Sequence, residues 1–384
     1  MKTTLSDAIG QALKDLQVCV VTNVPGYGAS EAYKSYALIN QKMPILSFHE
    51  EVAYSVSHGA ALVGKRAATM MKAQGFVKAG NAAVDSLYTS LSAGFVILIF
   101  EDLTGKHSDN IMEIEPILKG MSFPYKRATK ENVYEDLISC FRESEIRKMP
   151  YVLLINADEI NAETEFTPQI MSPKTKRFER NILAQVVHPL LADYQYKVFT
   201  TKKITPDFSG IAQPQIPNFP DDFPLRYKQG AQKYVVLFDA LKNLRGEVVT
   251  GDTSVSSSFA FPPYNSIDLV THLGGSIPLA IGAYLAGYKD VWAITGDFSF
   301  LAAGHLGLME AFERELPLKI VILYNKEAGA TGGQKIHKRI MMRVLAGYQN
   351  YIKHISDPQD VMEVVSVLEE AKNADELRII IADY

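Results

Sequence analysis

The chain alternates short apolar runs with longer stretches of helical character. Seven runs rich in β-branched and aromatic residues are predicted as strands, at 18–24, 95–100, 151–155, 247–250, 291–295, 318–324 and 378–382. Continuous apolar strands separated by helices are typical of parallel sheets that helices cover on both faces. The pattern therefore predicts an α/β fold made of two mostly parallel sheets, each flanked by helices.

The apolar periodicity fades between residues 166 and 227. The prolines of this stretch fall close together, at Pro206, Pro214, Pro217, Pro220 and Pro224. Proline at this density favours an extended connector on a surface. We therefore predict two domains, 1–165 and 228–384, joined by a proline-rich connector at 166–227. A chain of 384 residues with 47% hydrophobic content is sufficient for two buried cores.

Composition and charge exclude several classes of partner. The formal net charge of -4 provides no global attraction to nucleic acid or to acidic membranes. No apolar run approaches the roughly 18 residues of a membrane span, and residues 1–16 resemble an amphipathic helix rather than a signal peptide. The two cysteines, Cys19 and Cys140, are too few for a disulfide framework or an iron–sulfur cluster. We expect a soluble cytoplasmic protein with no nucleic-acid or membrane partner.

Two N-terminal motifs resemble known sites incompletely. The glycine-rich turn at 24–31 lacks the third glycine of a dinucleotide fingerprint, which favours a tight turn that lines a cleft. The segment 49–53 begins with His-Glu but has Ala53 where a zinc-binding helix needs its second histidine. What remains is Glu50 and Glu51 at the start of a predicted helix, 49–64, where the helix dipole favours carboxylates.

The C-terminal half has polar residues at two successive strand ends. Gly296-Asp297 follows one predicted strand, and Asn325 follows the next. The carboxyl ends of parallel strands are where such sheets bind ligands. Carboxylate and amide oxygens are ligands that Mg²⁺ accepts, commonly together with substrate phosphates. The spacing therefore predicts a magnesium site beside a phosphorylated ligand.

The segment from Gly296-Asp297 to Asn325 resembles the signature of thiamine-diphosphate-binding enzymes, although Phe298 stands where many members have glycine. The segments 251–254 and 271–276 resemble the diphosphate-facing loop and the segment before the helix under the cofactor. The resemblance implies thiamine diphosphate and Mg²⁺ as cofactors, with Asp297, Asn325 and a backbone carbonyl close to Glu327 as metal ligands. It implies these cofactor-binding residues in the C-terminal domain: Gly251, Asp252, Thr253, Gly274, Gly275, Ser276, Gly296, Asp297, Phe298, Ser299 and Asn325.

The N-terminal half resembles the pyrimidine-binding domain of indolepyruvate ferredoxin oxidoreductase. The similar segments are 24–31, Glu50 with its small-residue helix, 72–75 and 105–108. The resemblance places Pro25, Gly26 and Glu50 against the cofactor, with Glu50 as the catalytic glutamate. Among the histidines, His107 and His272 are the candidates for proton transfer, because histidine titrates near neutral pH. The alternative is that each histidine only satisfies a backbone partner.

The reaction is less defined than the cofactor. The large subunit of the oxidoreductase continues into a cysteine-rich ferredoxin-like domain, whereas this sequence ends at Tyr384 and has serines in place of a cysteine in the 251–263 loop. Both departures favour chemistry without an electron carrier, as in phosphonopyruvate and sulfopyruvate decarboxylases, which have a similar layout. The leading hypothesis is a lyase, either a decarboxylase or a carboligase, acting on a 2-oxo acid.

Two alternatives stay open. One is the thiamine-binding subunit of a 2-oxoacid ferredoxin oxidoreductase with a separate electron-transfer partner, and the other is a non-catalytic cofactor-binding relative. In the resembling enzymes the pyrimidine half of a site faces the diphosphate half of another subunit. The resemblance therefore implies a homodimer or homotetramer.

Overall fold

The computed structural model describes residues 1–169, 171–172 and 177–384. The chain divides into two compact units, which alternate along the sequence. The N-terminal unit comprises Met1–Glu179 and Tyr196–Ile211, and the C-terminal unit comprises Arg180–Gln195 and Ala212–Tyr384. Each unit has its own sheet and its own buried apolar core.

The elements are numbered in chain order. The strands are β1 Lys2–Thr4, β2 Val20–Asn23, β3 Ala67–Lys72, β4 Phe95–Glu101, β5 Tyr125–Arg127, β6 Tyr151–Asn156, β7 Glu163–Glu165, β8 Val248–Gly251, β9 Leu269–Val270, β10 Val291–Gly296, β11 Lys319–Tyr324, β12 Ile352–Ile355 and β13 Arg378–Asp383. The helices are α1 Leu5–Asp15, α2 Ala29–Ile39, α3 Glu50–Leu62, α4 Ala73–Lys78, α5 Gly80–Ser86, α6 Glu115–Gly120, α7 Val133–Arg147, α8 Ile182–Gln185, α9 Ala192–Ile204, α10 Leu225–Ala231, α11 Val235–Leu244, α12 Ser276–Leu285, α13 Asp297–Ser299, α14 His305–Glu313, α15 Lys338–Val344 and α16 Val361–Lys372.

The main sheet of the N-terminal unit is parallel, with strand order β2-β3-β4-β6-β5 over the described residues. Every position of β4 is buried, as expected for a strand covered by helices on both faces. Helix α1 packs its buried residues Leu5, Ile9 and Leu13 against this unit, and Thr4 caps its first turn by accepting a hydrogen bond from the Asp7 N–H. The short strands β1 and β7 pair separately and antiparallel.

The sheet of the C-terminal unit is also parallel, and its order in the described chain is β12-β13-β11-β10-β8-β9. Strand β11 is buried at every position. The α-helical turn of α13 passes into one stretch of π-helix, Phe300–Gly304, before α14 begins. Local π-helix is frequent at functional sites.

The predicted α/β class with two helix-flanked parallel sheets is confirmed. Each of the seven predicted strands is present, but β1, β3, β5, β7, β9 and β12 were not predicted from their apolar patterns. The predicted connector, 166–227, includes residues 170 and 173–176, which lie outside the described residues. Its described part contains α8, α9 and the start of α10. None of the helices in the described ranges combines the length and the apolar character that a bilayer span requires.

Candidate active site

Three neighbouring strands of the C-terminal unit end at one edge of the sheet. Gly251 at the end of β8 lies beside Ile294 of β10, and Gly296 at the end of β10 lies beside Leu323 of β11. The loops that follow these strands therefore emerge side by side. This is the carboxyl edge of the sheet, where the sequence predicted a ligand.

Asp297 is the first residue after β10 and is 1% exposed. Its Oδ1 accepts a hydrogen bond from the Phe298 N–H at 2.8 Å, and its Oδ2 accepts one from the Lys326 N–H at 2.7 Å. Burial raises the pKa of Asp297 above its ordinary value, although these backbone donors offset part of that effect. The contact with Lys326 joins the loop after β10 to the loop after β11.

Asn325, the first residue after β11, is oriented through both ends of its amide. Its Nδ2 donates to Tyr234 Oη at 2.7 Å, and its Oδ1 accepts from the Glu327 N–H at 3.0 Å. Tyr234 is buried, which raises the pKa of its hydroxyl to about 12 and keeps it protonated at neutral pH. The carboxylate of Glu327 lies 3.7 Å from Lys233 Nζ.

A cavity of about 280 Å³ lies over this edge of the C-terminal sheet. The structure brings together seven of the predicted residues in its wall, namely Thr253, Gly296, Asp297, Phe298, Ser299, Asn325 and Glu327. The other lining residues were not predicted individually, although Ser254 and Leu273 fall in segments that carried the family resemblance. They are Tyr234, Ser254, Val255, Ser256, Leu273, Leu323, Ala328, Gly329, Ala330 and Thr331. Tyr234 precedes α11 and is far from the signature in sequence, so no local pattern pointed to it.

The remaining predicted cofactor residues of this unit are not among those that line the cavity. Asp252 is fully buried; its Oδ1 accepts from the Ser276 N–H at 3.0 Å and its Oδ2 accepts from the Thr295 hydroxyl. Burial raises the pKa of Asp252 to about 6. Gly274 has a φ of +79° and a side chain there would meet Ala303 and the Gly304 nitrogen, so glycine is required. These residues connect the ends of β8 and β10 to the start of α12.

His272, predicted as a proton-transfer residue, is 1% exposed and is not among the residues that line this cavity. Its Nδ1 lies 3.0 Å from Thr271 Oγ1, and its ring would be in contact with any side chain at Gly275. Burial lowers the pKa of His272 to about 4, so the ring is neutral at pH 7. This placement favours the structural alternative, and a catalytic role for His272 stays a prediction.

The N-terminal unit presents a second group of predicted residues. Glu50 is the first residue of α3, and its side chain is 17% exposed. Its Oε2 lies 2.9 Å from the Nζ of Lys78, the last residue of α4. Gly75 lies in the first turn of the same helix. A Cβ atom at Gly75 would lie 2.8 Å from Glu50 Cγ, so the glycine is what allows α4 to pack against the glutamate.

His107 lies in the loop after β4. Its ring stacks on Tyr27 with 3.6 Å between ring centroids, and its Nε2 is 3.7 Å from Asp158 Oδ1. The loop is held by Asp102, whose carboxylate accepts hydrogen bonds from the Lys106 N–H at 3.2 Å and the His107 N–H at 2.7 Å. His107 is thus held by an aromatic contact and by its backbone.

A polar cavity of about 480 Å³ brings Pro25, Glu50 and His107 together. Its other lining residues are Val24, Lys72, Gln74, Gly75, Lys106, Ser108, Asp109 and Asn110. Gly26, also predicted, packs against the side chain of Lys72. The segments 72–75 and 105–108 carried the family resemblance, but sequence reasoning assigned no role to Lys72 or Gln74.

Nowhere in the described ranges do three or more His, Cys, Asp or Glu side chains form a group that could hold a metal ion. A cation at Asp297 would therefore take its remaining ligands from amide and backbone oxygens or from its own ligand. Such a mixed oxygen set is usual for Mg²⁺, which is commonly bound by one or two carboxylates together with substrate phosphates.

Residues 250–381 match the family described as thiamine pyrophosphate enzyme, C-terminal TPP binding domain. The match contains the strand ends at Gly251, Gly296 and Tyr324, together with Asp297 and Asn325. No curated protein matches the sequence.

Solved structures resemble the chain over its whole length. A thiamine diphosphate-dependent 4-hydroxybenzoylformate decarboxylase from Rhodococcus jostii RHA1 is 14% identical, with a TM-score of 0.69 and 99% of each chain covered. A benzoylformate decarboxylase from Polynucleobacter necessarius is 11% identical, with a TM-score of 0.66, covering 99% of this chain and 98% of its own. These likenesses establish that the fold is shared with thiamine-diphosphate-dependent decarboxylases.

Proposed function

We propose that the chain is a thiamine-diphosphate- and Mg²⁺-dependent lyase that decarboxylates a 2-oxo acid. The observation that carries this proposal is the cavity over the C-terminal sheet, where the buried Asp297 and the oriented Asn325 lie on adjacent loops. Both residues fall within the segment that matches the thiamine pyrophosphate family. The decarboxylases with the same fold support the reaction type.

The residues present fit a divalent cation. Asp297 is a buried carboxylate, and the charge of Lys233 and nearby backbone N–H groups offset only part of the effect of burial, which raises its pKa. Burying a charge that is only partly compensated is costly, and a bound cation would reduce that cost. Asp297 Oδ1 accepts a hydrogen bond from the Phe298 N–H and Oδ2 accepts one from the Lys326 N–H, and each oxygen keeps acceptor capacity for a metal ion. Asp297, Asn325 and the backbone near Glu327 would hold the Mg²⁺.

The fixed geometry of these residues has a chemical purpose. Asn325 cannot rotate without breaking its bonds to Tyr234 or Glu327, so its oxygen is presented in one orientation. The apolar part of the cavity wall, which includes Val255, Leu273 and Leu323, would exclude water from the bound cofactor. When bound, thiamine diphosphate supplies the carbon nucleophile and accepts the electrons that decarboxylation releases.

Glu50 is the proposed acid–base group of the N-terminal unit. Its position at the start of α3, packed against Gly75, fixes the carboxylate in a polar cavity. The carboxyl would hold and return a proton at the aminopyrimidine ring nitrogen, a general acid–base role. His107, in the wall of the same cavity, is the proposed second proton-transfer group.

We further propose that the active protein contains at least two copies of the chain. The family resemblance implies that Glu50 of one subunit serves the cofactor held by the C-terminal unit of another. Light scattering of the purified protein tests this directly: a monomer that is fully active would contradict it. Such an arrangement would make activity dependent on assembly.

The first test is calorimetric titration with thiamine diphosphate in Mg²⁺ and in EDTA, followed by carbon dioxide release from 2-oxo acids without an electron acceptor. We expect Mg²⁺-dependent binding and acceptor-free release. Binding without release would favour the oxidoreductase-subunit alternative, in which electrons leave through a partner protein. Absence of binding would refute the proposed cofactor.

A further inference from the structure

Lys72 ends strand β3 and lines the same polar cavity as Glu50. Strand β3 lies between β2 and β4, and Lys72 pairs in register with Phe100 near the end of β4. The lysine therefore emerges at the carboxyl edge of the sheet, between the loop that contains Gly26 and the loop that contains His107. Ligands of parallel sheets bind at this edge.

The Lys72 side chain is held along its length. A Cβ atom at Gly26 would lie 2.6 Å from Lys72 Cγ and 2.7 Å from its Cδ, so the lysine stem packs directly on that glycine. Its ammonium group donates to the His107 carbonyl oxygen at 2.6 Å and also to the Ser108 hydroxyl. An ammonium has three protons, so this one keeps donor capacity after both bonds.

The charge of Lys72 is not neutralised within the described residues. Both of its hydrogen-bond acceptors are neutral oxygens, and no carboxylate there forms an ion pair with it. Of the two acidic residues in the cavity wall, Glu50 is paired with Lys78, and Asp109 is exposed. Lys106, on the exposed side of the wall, adds a second positive charge. A fixed cation in a polar cavity is suited to an anionic ligand.

The decarboxylation reaction determines which anionic group of the substrate Lys72 can bind without slowing turnover. In a decarboxylation the 2-oxo acid loses its carboxylate as neutral carbon dioxide, so an ion pair with that carboxylate stabilises the substrate more than the transition state and slows the reaction. An ion pair with a group that stays on the product stabilises both states equally and improves binding without this cost. A cation beside Glu50 is therefore compatible with catalysis when its partner is retained.

We propose that Lys72 binds a second anionic group of the substrate, one that the reaction does not remove, so that the preferred substrates are dianionic 2-oxo acids. This inference rests on the proposed function and specifies the substrate class of the same site. It separates this chain from the arylformate decarboxylases that share its fold, because the benzoylformates for which those enzymes are named have a single carboxylate and no second anionic group.

The test uses 2-oxo acids in matched pairs that differ at the far end of the chain, where one member has a carboxylate, sulfonate or phosphonate and the other has a methyl group. Each affinity is measured by calorimetry on the protein saturated with thiamine diphosphate and Mg²⁺, with the 2-hydroxy analogue of each acid as the ligand. These analogues lack the carbonyl group that the reaction requires, so they are not turned over. We expect at least one anionic terminus to bind about 10- to 100-fold more tightly than its neutral partner, because hydrogen bonds to charged groups have this magnitude.

Lys72→Met should abolish that preference, Lys72→Arg should keep part of it, and Lys34→Met, which removes an exposed charge from α2, should leave it unchanged. A Lys72→Met variant that weakens both members of each pair equally would reveal a structural role and overturn the inference. So would a wild-type protein that binds the paired acids equally. Failure to bind thiamine diphosphate would instead refute the proposed function, and the cofactor titration makes that outcome distinguishable.

Discussion

The cavities of the two units hold their acidic residues in different ways. In the C-terminal unit, Asp297 is buried, and backbone N–H groups of its own and the adjacent loop bind both of its oxygens. In the N-terminal unit, Glu50 is partly exposed, and its partners are the side chain of Lys78 and the surface of Gly75. One carboxylate is fixed by the backbone of the sheet edge, and the other is fixed by side chains from a neighbouring helix.

The difference corresponds to two tasks. A metal-binding carboxylate needs one position and one charge state, and backbone donors provide both because they cannot move away or titrate. An acid–base carboxylate must change its protonation, and a side-chain partner such as Lys78 can move when a ligand binds. The comparison predicts that changes at Asp297 affect binding, whereas changes at Glu50 affect turnover.

The largest effect is expected for Glu50→Gln. The amide cannot exchange a proton, so kcat for carbon dioxide release should fall by about 10²- to 10⁴-fold, the usual contribution of a general acid–base group. Thiamine diphosphate affinity, measured by calorimetry, should change much less. Glu51→Gln is the matched control, because it makes the same change from carboxyl to amide at the next residue of α3 and should leave kcat within about threefold. Equal losses in both variants would break the assignment.

Asp297→Ala should act on binding instead. Removal of the buried carboxylate should weaken Mg²⁺-dependent affinity for thiamine diphosphate by about 100-fold or more, since loss even of an outer partner of a metal ligand commonly costs 10- to 100-fold. Calorimetry with and without Mg²⁺ measures this, and the exposed Asp239→Ala on α11 is the control. Unchanged affinity in the Asp297 variant would remove the metal assignment.

The way in which each residue is held also explains which site residues could be predicted from the sequence. Gly296-Asp297 and Asn325 directly follow long apolar strands, so their meeting at one sheet edge could be inferred from pattern alone. Tyr234 and Lys72 could not be recognised this way, because each joins its cavity from a separate segment through side-chain packing. Strand β3 was missed because its sequence, AATMMK, has few β-branched residues and is buried by tertiary contacts rather than by its own propensity.

A smaller effect on cofactor affinity is expected for Tyr234→Phe. This change tests how Tyr234 orients Asn325 in the cavity of the C-terminal unit. The Tyr234 hydroxyl accepts the hydrogen bond that Asn325 Nδ2 donates. Losing it frees the amide at a cost of about 1 kcal/mol, or roughly three- to tenfold in Mg²⁺-dependent cofactor affinity. Tyr384→Phe is the control for aromatic packing, because the ring of Tyr384 packs against that of Tyr234 with 4.7 Å between the ring centroids. A loss of equal size in both variants would assign the effect to packing.

The smallest effect concerns stability in the N-terminal unit. Burial, with a further contribution from Asp85, raises the pKa of Glu51 to about 7 from an ordinary 4.5. Between these values the folded carboxyl binds more protons than the unfolded one, so its contribution to stability decreases as the pH rises from about 4.5 to 7. Glu51→Gln should remove this loss, raising the melting temperature at pH 8 by about 1 to 3 °C and leaving it unchanged at pH 4. Thermal unfolding across that pH range measures this difference in melting temperature.

If the melting temperature of the variant falls with pH as steeply as that of the wild type, Glu51 is not the group that causes the pH dependence. Asp85 is then the next group to test, because burial raises its pKa to about 6.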